Sequence, residues 1–468
     1  MTENRSILET IRIGSGAGFS GDRIEPAVEL ARKGEIDYLV FECLAERTIA
    51  LAHQSRLKDP GNGYDPLLVD RMNAVLRICH EKKITIITNM GAANPLAAAA
   101  RVKDVAHELG LPGLKIAAIT GDDVLEKISH SDYSIEETGQ PISTLYGKFI
   151  SANAYLGAAP IVEALGQGAQ VIITGRVADS ALFLAPQIHA FKWAMDNWKR
   201  LGKGTVIGHL LECAGQITGG YFADPGFKPV SSLARLGFPI AEVRADGSAI
   251  ITKVSGSGGE ITPATCKEQL LYEIGNPSSY ITPDVIADFS SVTFNKLEQN
   301  RILVDGGDGH PKTNLLKVSV GFLDGYIGVG EISYAGTGAV ARGELAIEIV
   351  RERLKIVGIH PKKLCFDLIG INSCHGQELS AHSHDPYEVR VRITGQTESL
   401  KEAGRIANEV ESLYTNGPTG GGGVTTSVRQ VVAIVSVLAP CRLAVPAIRY
   451  FDLQSAQPKI CLVAGGQT

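Results

Sequence analysis

Short apolar runs rich in β-branched residues alternate with longer stretches of helical periodicity through the first 200 residues. The runs are IRIGSG (11–16), IDYLVFE (36–42), ITIITNMG (84–91), LKIAAITGDD (114–123), GKFISANAY (147–155) and QVIITG (170–175). None alternates strictly between apolar and polar positions, which predicts strands covered on both faces in a parallel sheet. Each run leads into a helical stretch, the last being RVADSALFLAP. Six strand-then-helix units in series predict right-handed crossovers and an α/β architecture: a mostly parallel sheet with helices on both faces. A count that stops near six favours an open sheet over a closed barrel.

The pattern changes after residue 230. PIAEVRADGSAIITKV (239–254) reads as a hairpin turned at Asp246 and Gly247. From about 285 the apolar runs come in pairs around two helical stretches, AVARGELAIEIVRERLKIVG and LKEAGRIANEVESLY. This β-β-α-β-β-α-β grammar predicts a smaller α+β domain with antiparallel pairing. The expected division is therefore 1–285, carrying a site at its strand ends, and 286–468, carrying a glycine-rich loop. VVAIVSVLAPC (431–441) is too short for a membrane helix, which needs about 20 apolar residues, and reads as a buried strand.

Composition narrows the picture by exclusion. With 468 residues and a net charge of −5, the chain has no basic run and no electrostatic footprint for nucleic acid. The polar opening MTENRSILET lacks the apolar core of a signal peptide, and no membrane partner is expected. Eight cysteines without a C-x-x-C pair point to reduced thiols and a cytoplasmic setting.

In open parallel sheets ligands bind outside the carboxyl ends of the strands. Those ends here carry Ser15, Glu42, Asn89, Asp122, Asn153, Tyr155, Arg176, Asp179 and Ser180. Asp122 and Asp179 also fall in first helical turns, where a carboxylate offsets the helix dipole. Ser15 and Asn89 are of the residue types that cap helices. Glu42 has no capping duty. Arg176 stands between an apolar strand and an apolar helix, so if buried it must pair, with Asp179 or with Glu42. LLECAGQITGGYFADPG adds Glu212, of the chemistry of a general acid or base, and Cys213, which lacks a local activating base.

Three glycine-rich segments have the composition of phosphate cradles. IGSGAGFSGD (13–22) departs from the dinucleotide spacing G-x-G-x-x-G. SYAGTGAVARGELA places Gly336 and Gly338 at a helix start with Arg342 one turn in, and TGGGGV places Gly420, Gly421 and Gly422 in a row. Both are candidate phosphate sites, but the second lacks the Gly-Lys-Ser/Thr of a nucleotide P-loop, which excludes ATP hydrolysis. INSCHGQELSAHSHDP gathers Cys374, His375, His382, His384 and Asp385, with the H-x-H spacing of a metal site. No metal and no required cofactor is expected.

Taken together, RIGSGAGFSGDRIEPAVELARKGEIDYLVFECLAERT, TNMGAANPLAAA, VIITGRVADSALFLAP, LLECAGQITGGYFADPG, TCKEQLLYEI, GEISYAGTGA and TNGPTGGGGV closely resemble the AtuA family of acyclic terpene utilisation proteins. The resemblance implies catabolism of citronellol- or geraniol-like compounds, or of other branched acids processed as coenzyme A (CoA) thioesters. Longer members continue into a small ferredoxin-like module, so a separate small subunit is an expected partner, alongside a homo-oligomer.

The reading that follows is an enzyme performing acid/base hydration, dehydration or related lyase chemistry on a branched acid or its CoA thioester. Glu42 would be the base, Arg176 would bind a carboxylate or developing oxyanion, and Asp179 would orient Arg176. Ser15, Asn89, Asp122, Ser180 and Glu212 would contact substrate. The rival readings are a thioester or amide hydrolase using Ser180 or Cys213, a CoA-binding scaffold active only with its small partner, and a nicotinamide oxidoreductase.

Overall fold

All six strand-then-helix units form. The computed structural model describes residues 9–380, 386–452 and 459–462. The strands are β1 (Thr10–Ala17), β2 (Tyr38–Phe41), β3 (Thr85–Thr88), β4 (Lys115–Thr120), β5 (Phe149–Ala154) and β6 (Val171–Thr174). Their helices are α1 (Glu25–Lys33), α2 (Glu46–Lys58), α3 (Leu68–Lys82), α4 (Pro95–Glu108), α5 (Leu125–Ile128), α6 (Ala159–Gly166) and α7 (Ala181–Phe191). Between β2 and β3 the sequence grammar anticipated only α2, so α3 is an addition.

Five of these strands lie side by side and parallel, in the order β1-β2-β3-β6-β4. The missing alternation now has its cause. Leu39 and Phe41 of β2, with Val171 and Ile173 of β6, pack against α1, α3 and α4 on one face. Val40 and Ile172 pack against α6, α7 and a further helix, α8 (Trp198–Glu212), on the other. Both faces are therefore apolar, as in sheets clad by helices on each side.

β5 is the exception to the expected parallel array. It leaves the large sheet and pairs with a later strand, keeping contact with the rim through an isolated bridge between Asp123 and Asn153. The hairpin β7 (Pro239–Arg244) and β8 (Ala249–Lys253) forms as read. Its turn has Gly247 at φ +85°, and the Asp246 carboxylate accepts the Ser248 N–H.

After α9 (Pro263–Leu271) come β9 (Tyr280–Ile281), β10 (Ile286–Asp288), β11 (Thr293–Glu298), β12 (Arg301–Asp305), β13 (Asp308–His310) and the long β14 (Leu315–Ala335), the partner of β5. They are followed by α10 (Ala339–Ile356), β15 (Lys363–Ile369), β16 (Glu388–Thr397), β17 (Gly422–Pro440), β18 (Ala447–Asp452) and β19 (Lys459–Leu462). The large sheet runs β11-β12-β8-β7-β1-β2-β3-β6-β4-β18-β19 and stays open, with antiparallel flanks on either side of its parallel centre.

The chain divides into two compact units, residues 1–321 with 434–468, and residues 322–433. The expected boundary at 285 lies inside the first unit, because β12 pairs with β8 and so extends the first unit's sheet. In the second unit β15, β16 and β14 pair antiparallel in that order, and β17 continues the sheet beyond β14. α10 and the helix Leu400–Glu411 bury Ala346, Val350, Ile406 and Val410 against Ile332, Val391 and Ile393 of that sheet.

Candidate functional site

The carboxyl ends of four parallel strands are tied together by side chains. Asn89, after β3, donates Nδ2–H to Glu42 Oε1 (2.8 Å), and its Oδ1 accepts the Cys43 N–H (2.7 Å) beyond β2. Glu42 Oε1 also accepts the Leu44 N–H at 2.9 Å. Asp122, after β4, accepts the Arg176 N–H (2.8 Å) and Asn153 Nδ2–H (2.9 Å) on one carboxylate oxygen. The Arg176 guanidinium, after β6, donates to the Leu44 carbonyl oxygen. The structure thus brings Glu42, Asn89, Asp122 and Arg176 to one rim, with Asn153 joining through its bridge.

Burial is severe there. It pushes the Glu42 carboxyl well above the usual range, with the Asp179 charge adding and Arg176, Leu44 and Asn89 opposing. Burial also raises Asp122 to about 6 against the hydrogen bonds from Arg176 and Asn153. Gly175 makes this packing possible, since a Cβ at that position would lie 2.6 Å from both Asp122 carboxylate oxygens. Gly175→Ala is therefore expected to lower stability by ~1–3 kcal/mol, the cost of overpacking a filled site. Urea unfolding measures it, and an unchanged midpoint would mean that Asp122 has room to move.

Beside this rim a cavity of about 580 Å³ opens within the first unit. Arg176, Asp179, Glu46, Tyr155, His209, Glu212, Tyr280 and Lys317 line it. Arg176 is 2% exposed and fixed from three sides. Besides Leu44 O, it holds Asp179 Oδ1 at 3.0 Å, and its guanidinium lies 4.1 Å from the Tyr155 ring centroid. A buried guanidinium so paired remains a cation.

Asp179 keeps a third of its side chain exposed to the cavity. Burial raises its carboxyl to about 7; the Arg176 charge opposes this, and Glu212 and Glu46 add to it. Glu46 moves the other way, down to about 2. Burial there is outweighed by Arg176, by the Tyr155 hydroxyl that donates to it, and by Lys317 at 3.1 Å. Two carboxyl groups beside one guanidinium are thus separated into an ionised Glu46 and an Asp179 that titrates near neutrality, the separation that acid/base catalysis uses.

The lining carries a second arrangement. His209 and Glu212 stand one turn apart on α8, with Nδ1 and Oε1 2.7 Å apart. His209 Nε2 lies 3.2 Å from the Leu270 carbonyl oxygen, and the ring packs against Tyr280 and Phe289, which also touch each other. Burial disfavours the imidazolium, but the Glu212 charge and the hydrogen bonds to Glu212 and Leu270 prevail and raise its pKa. Glu212 Oε2 is buried and, among the described residues, has no hydrogen-bond partner.

Of the residues singled out from sequence, Arg176, Asp179 and Glu212 line this cavity, and Tyr155 joins them. Glu42, Asn89, Asp122, Ser15 and Ser180 do not. Glu42, Asn89 and Asp122 hold the rim loops. Ser15 is fully buried, its Oγ without a hydrogen-bond partner among the described residues, and Ser180 is buried at the start of α7, packed against Gly208 of α8. Cys213 lines a different hollow with Gly18 and Tyr221, and burial followed by the Glu212 charge raises its thiol pKa. Sequence reasoning missed Glu46, His209 and Lys317. The three-residue spacing of His209 and Glu212 on a helix was the available signal. Lys317, arriving on β14, left none.

The glycine segments serve packing and turns. In IGSGAGFSGD the Asp22 carboxylate accepts the Gly18 N–H (2.9 Å), putting negative charge where a pyrophosphate would need to sit, and buried Arg71 gathers the Phe19, Ser20 and Asp22 carbonyls. In the second unit Arg342 joins the other two segments by donating to Ala335 O, Thr337 O and Thr419 O. Gly336, Gly338 and Gly420 take positive φ, where glycine is favoured. Gly421 lies against Ile332 and Tyr334, and Gly422 follows at the start of β17. With Arg342 committed to carbonyls, a phosphate there would depend on backbone N–H groups.

His382, His384 and Asp385 lie outside the described residues, and Cys374 is exposed. Among the described residues no group of three or more His, Cys, Asp or Glu side chains is disposed to hold a metal ion. Among those residues, too, no helix is long and apolar enough to cross a membrane.

Fold and site together define an α/β protein whose acid-lined cavity opens beside the carboxyl ends of a parallel sheet. The chain belongs to the AtuA family, described as acyclic terpene utilisation family protein AtuA, whose family model matches residues 11–449. A search of curated proteins found no match.

Proposed function

We propose that the protein is an enzyme of acyclic terpene catabolism that hydrates a branched 2-enoyl-CoA thioester, or dehydrates its 3-hydroxy counterpart, by acid/base chemistry. The family description supports the branched acyclic substrate. The observation that carries the chemistry is Asp179, a carboxyl brought to about 7 and held 3.0 Å from a buried guanidinium on a cavity wall. Such a group exchanges a proton with C2 of the substrate at neutral pH. Arg176 sets the proton affinity of Asp179 and supplies positive charge as negative charge develops on the thioester oxygen.

The cavity's charge selects between thioester and free acid. Among the described residues, Glu46, Glu136, Glu137, Asp179, Glu212 and Glu273 outnumber the basic groups of the lining, Arg176, Lys317 and the His209 imidazole. A substrate carboxylate would enter against this excess of acids, whereas a thioester is neutral at its reacting end. Neither group of the hydrolase reading is on the wall, and the raised Cys213 thiol is a poor nucleophile.

The test incubates the purified chain with a 3-methyl-branched 2-enoyl-CoA or the matching free acid and follows loss of the conjugated double bond. Hydration of the thioester alone is expected, with a ligand-induced rise in the unfolding midpoint. Thioester at ~100 times its dissociation constant adds ~2.7 kcal/mol. Absence of turnover for either compound, with and without a small ferredoxin-like partner subunit, would sink the reading.

A further inference from the structure

We infer that His209 and Glu212 form the second proton-transfer group of this cavity, with Glu212 Oε2 as the atom that takes the proton of the attacking water and His209 as the residue that positions and relays it. The inference rests on the hydration reading above and adds the group that handles the oxygen, where Asp179 handles the carbon.

Leu270 O is a carbonyl and only accepts, so His209 Nε2, 3.2 Å away, carries a hydrogen. His209 Nδ1 then faces Glu212 Oε1 at 2.7 Å, and two lone pairs at that distance need a proton between them. The pair therefore shares one proton, as imidazolium and carboxylate or as imidazole and carboxylic acid. His209 is 1% exposed and Glu212 8%, so water does not dissolve this link. Glu212 Oε2 is left over, buried and, among the described residues, without a hydrogen-bond partner, on a side chain that lines the cavity. A buried carboxylate oxygen with no hydrogen bond is costly unless a ligand completes it. Gln269 fixes the assembly from α9 by donating Nε2–H to the His209 carbonyl oxygen at 3.1 Å.

The proton balance closes. In hydration an O–H bond of water breaks and its proton goes to Glu212 Oε2, while the proton shared at Oε1 settles on His209 Nδ1. The water oxygen bonds to C3, the π electron pair moves to C2, and C2 takes the proton from Asp179. In dehydration Asp179 takes the C2 proton, the C3–O bond breaks, and Oε2 returns its proton to the departing oxygen, which leaves as water.

The experiment separates this role from a structural one by the leaving group. Wild type, Glu212→Gln and His209→Gln are assayed for elimination from a methyl-branched 3-hydroxyacyl-CoA and from its 3-chloro analogue, whose chloride leaves without a proton. Glu212→Gln is expected to lose about 10²-fold or more on the hydroxyl compound and only a few-fold on the chloro compound. His209→Gln is expected to show the same selectivity at smaller size, in kcat and not in KM. Equal losses on both compounds in either variant would overturn the inference, because a misfolded or merely reshaped cavity does not distinguish the leaving groups. A wild-type chain inert to both compounds would instead overturn the hydration reading, and the inference with it.

Discussion

Replacing Arg176 by alanine is expected to lower stability by ~3–5 kcal/mol, the cost of removing one partner from a buried ion pair. The loss should also depend on pH. Without the guanidinium, Asp179 and Glu42 keep their burial and lose the charge that most favours their ionised forms. Their carboxyl groups then rise further. Because a raised folded-state pKa gives stability that is lost as pH climbs through it, the deficit against wild type should widen from about pH 5 to pH 8. Urea midpoints for both proteins at those two pH values test this. A deficit that stays constant would mean that packing against Tyr155, and not charge, is what Arg176 contributes. Arg176→Lys should recover little, since an ammonium cannot span Leu44 O, Asp179 and the face of Tyr155 as the planar guanidinium does.

Asp179→Asn should still fold, because Glu46 and Glu42 continue to offset the Arg176 charge, and should reduce turnover by ~10²–10⁴, the range attributed to a positioned acid/base group. Asparagine keeps an oxygen toward Arg176 but can no longer carry a proton to or from carbon. In the dehydration direction the wild-type kcat/KM should rise with pH through about 7, following ionisation of Asp179. The residual activity of the variant should lack that rise. Activity within a few-fold of wild type, with the pH limb unchanged, would remove Asp179 from the reaction.

The candidate site was legible in part, and the parts differ for a physical reason. Arg176 was visible because a guanidinium between an apolar strand and an apolar helix must find a partner, and Asp179 three residues later is that partner. Glu42 attracted notice by the same logic, as a carboxylate at the end of an apolar strand. Its surroundings were not readable. Asn89 and Leu44 close around it, and it supports the rim without reaching the cavity wall. Whether an acid at a strand end faces a ligand or its own neighbours depends on a few ångströms of loop path, which no local pattern encodes.

By itself the sequence determined that this is an α/β protein with its parallel strands buried on both faces. Non-alternating β-branched runs and amphipathic helices report burial within a window of a dozen residues. It determined the Asp246–Gly247 hairpin and the two helices of the second unit on the same local grounds. The tertiary structure alone decided that β6 lies between β3 and β4, that β5 leaves the large sheet for β14, and that β12 extends the first unit's sheet beyond residue 285. Those choices bring Lys317 against Glu46 across 271 positions, and Leu270 against His209 across 61. Strand order and loop closure depend on contacts between segments far apart in the chain, where side-chain periodicity carries no information. The chemistry of the cavity is set at that scale.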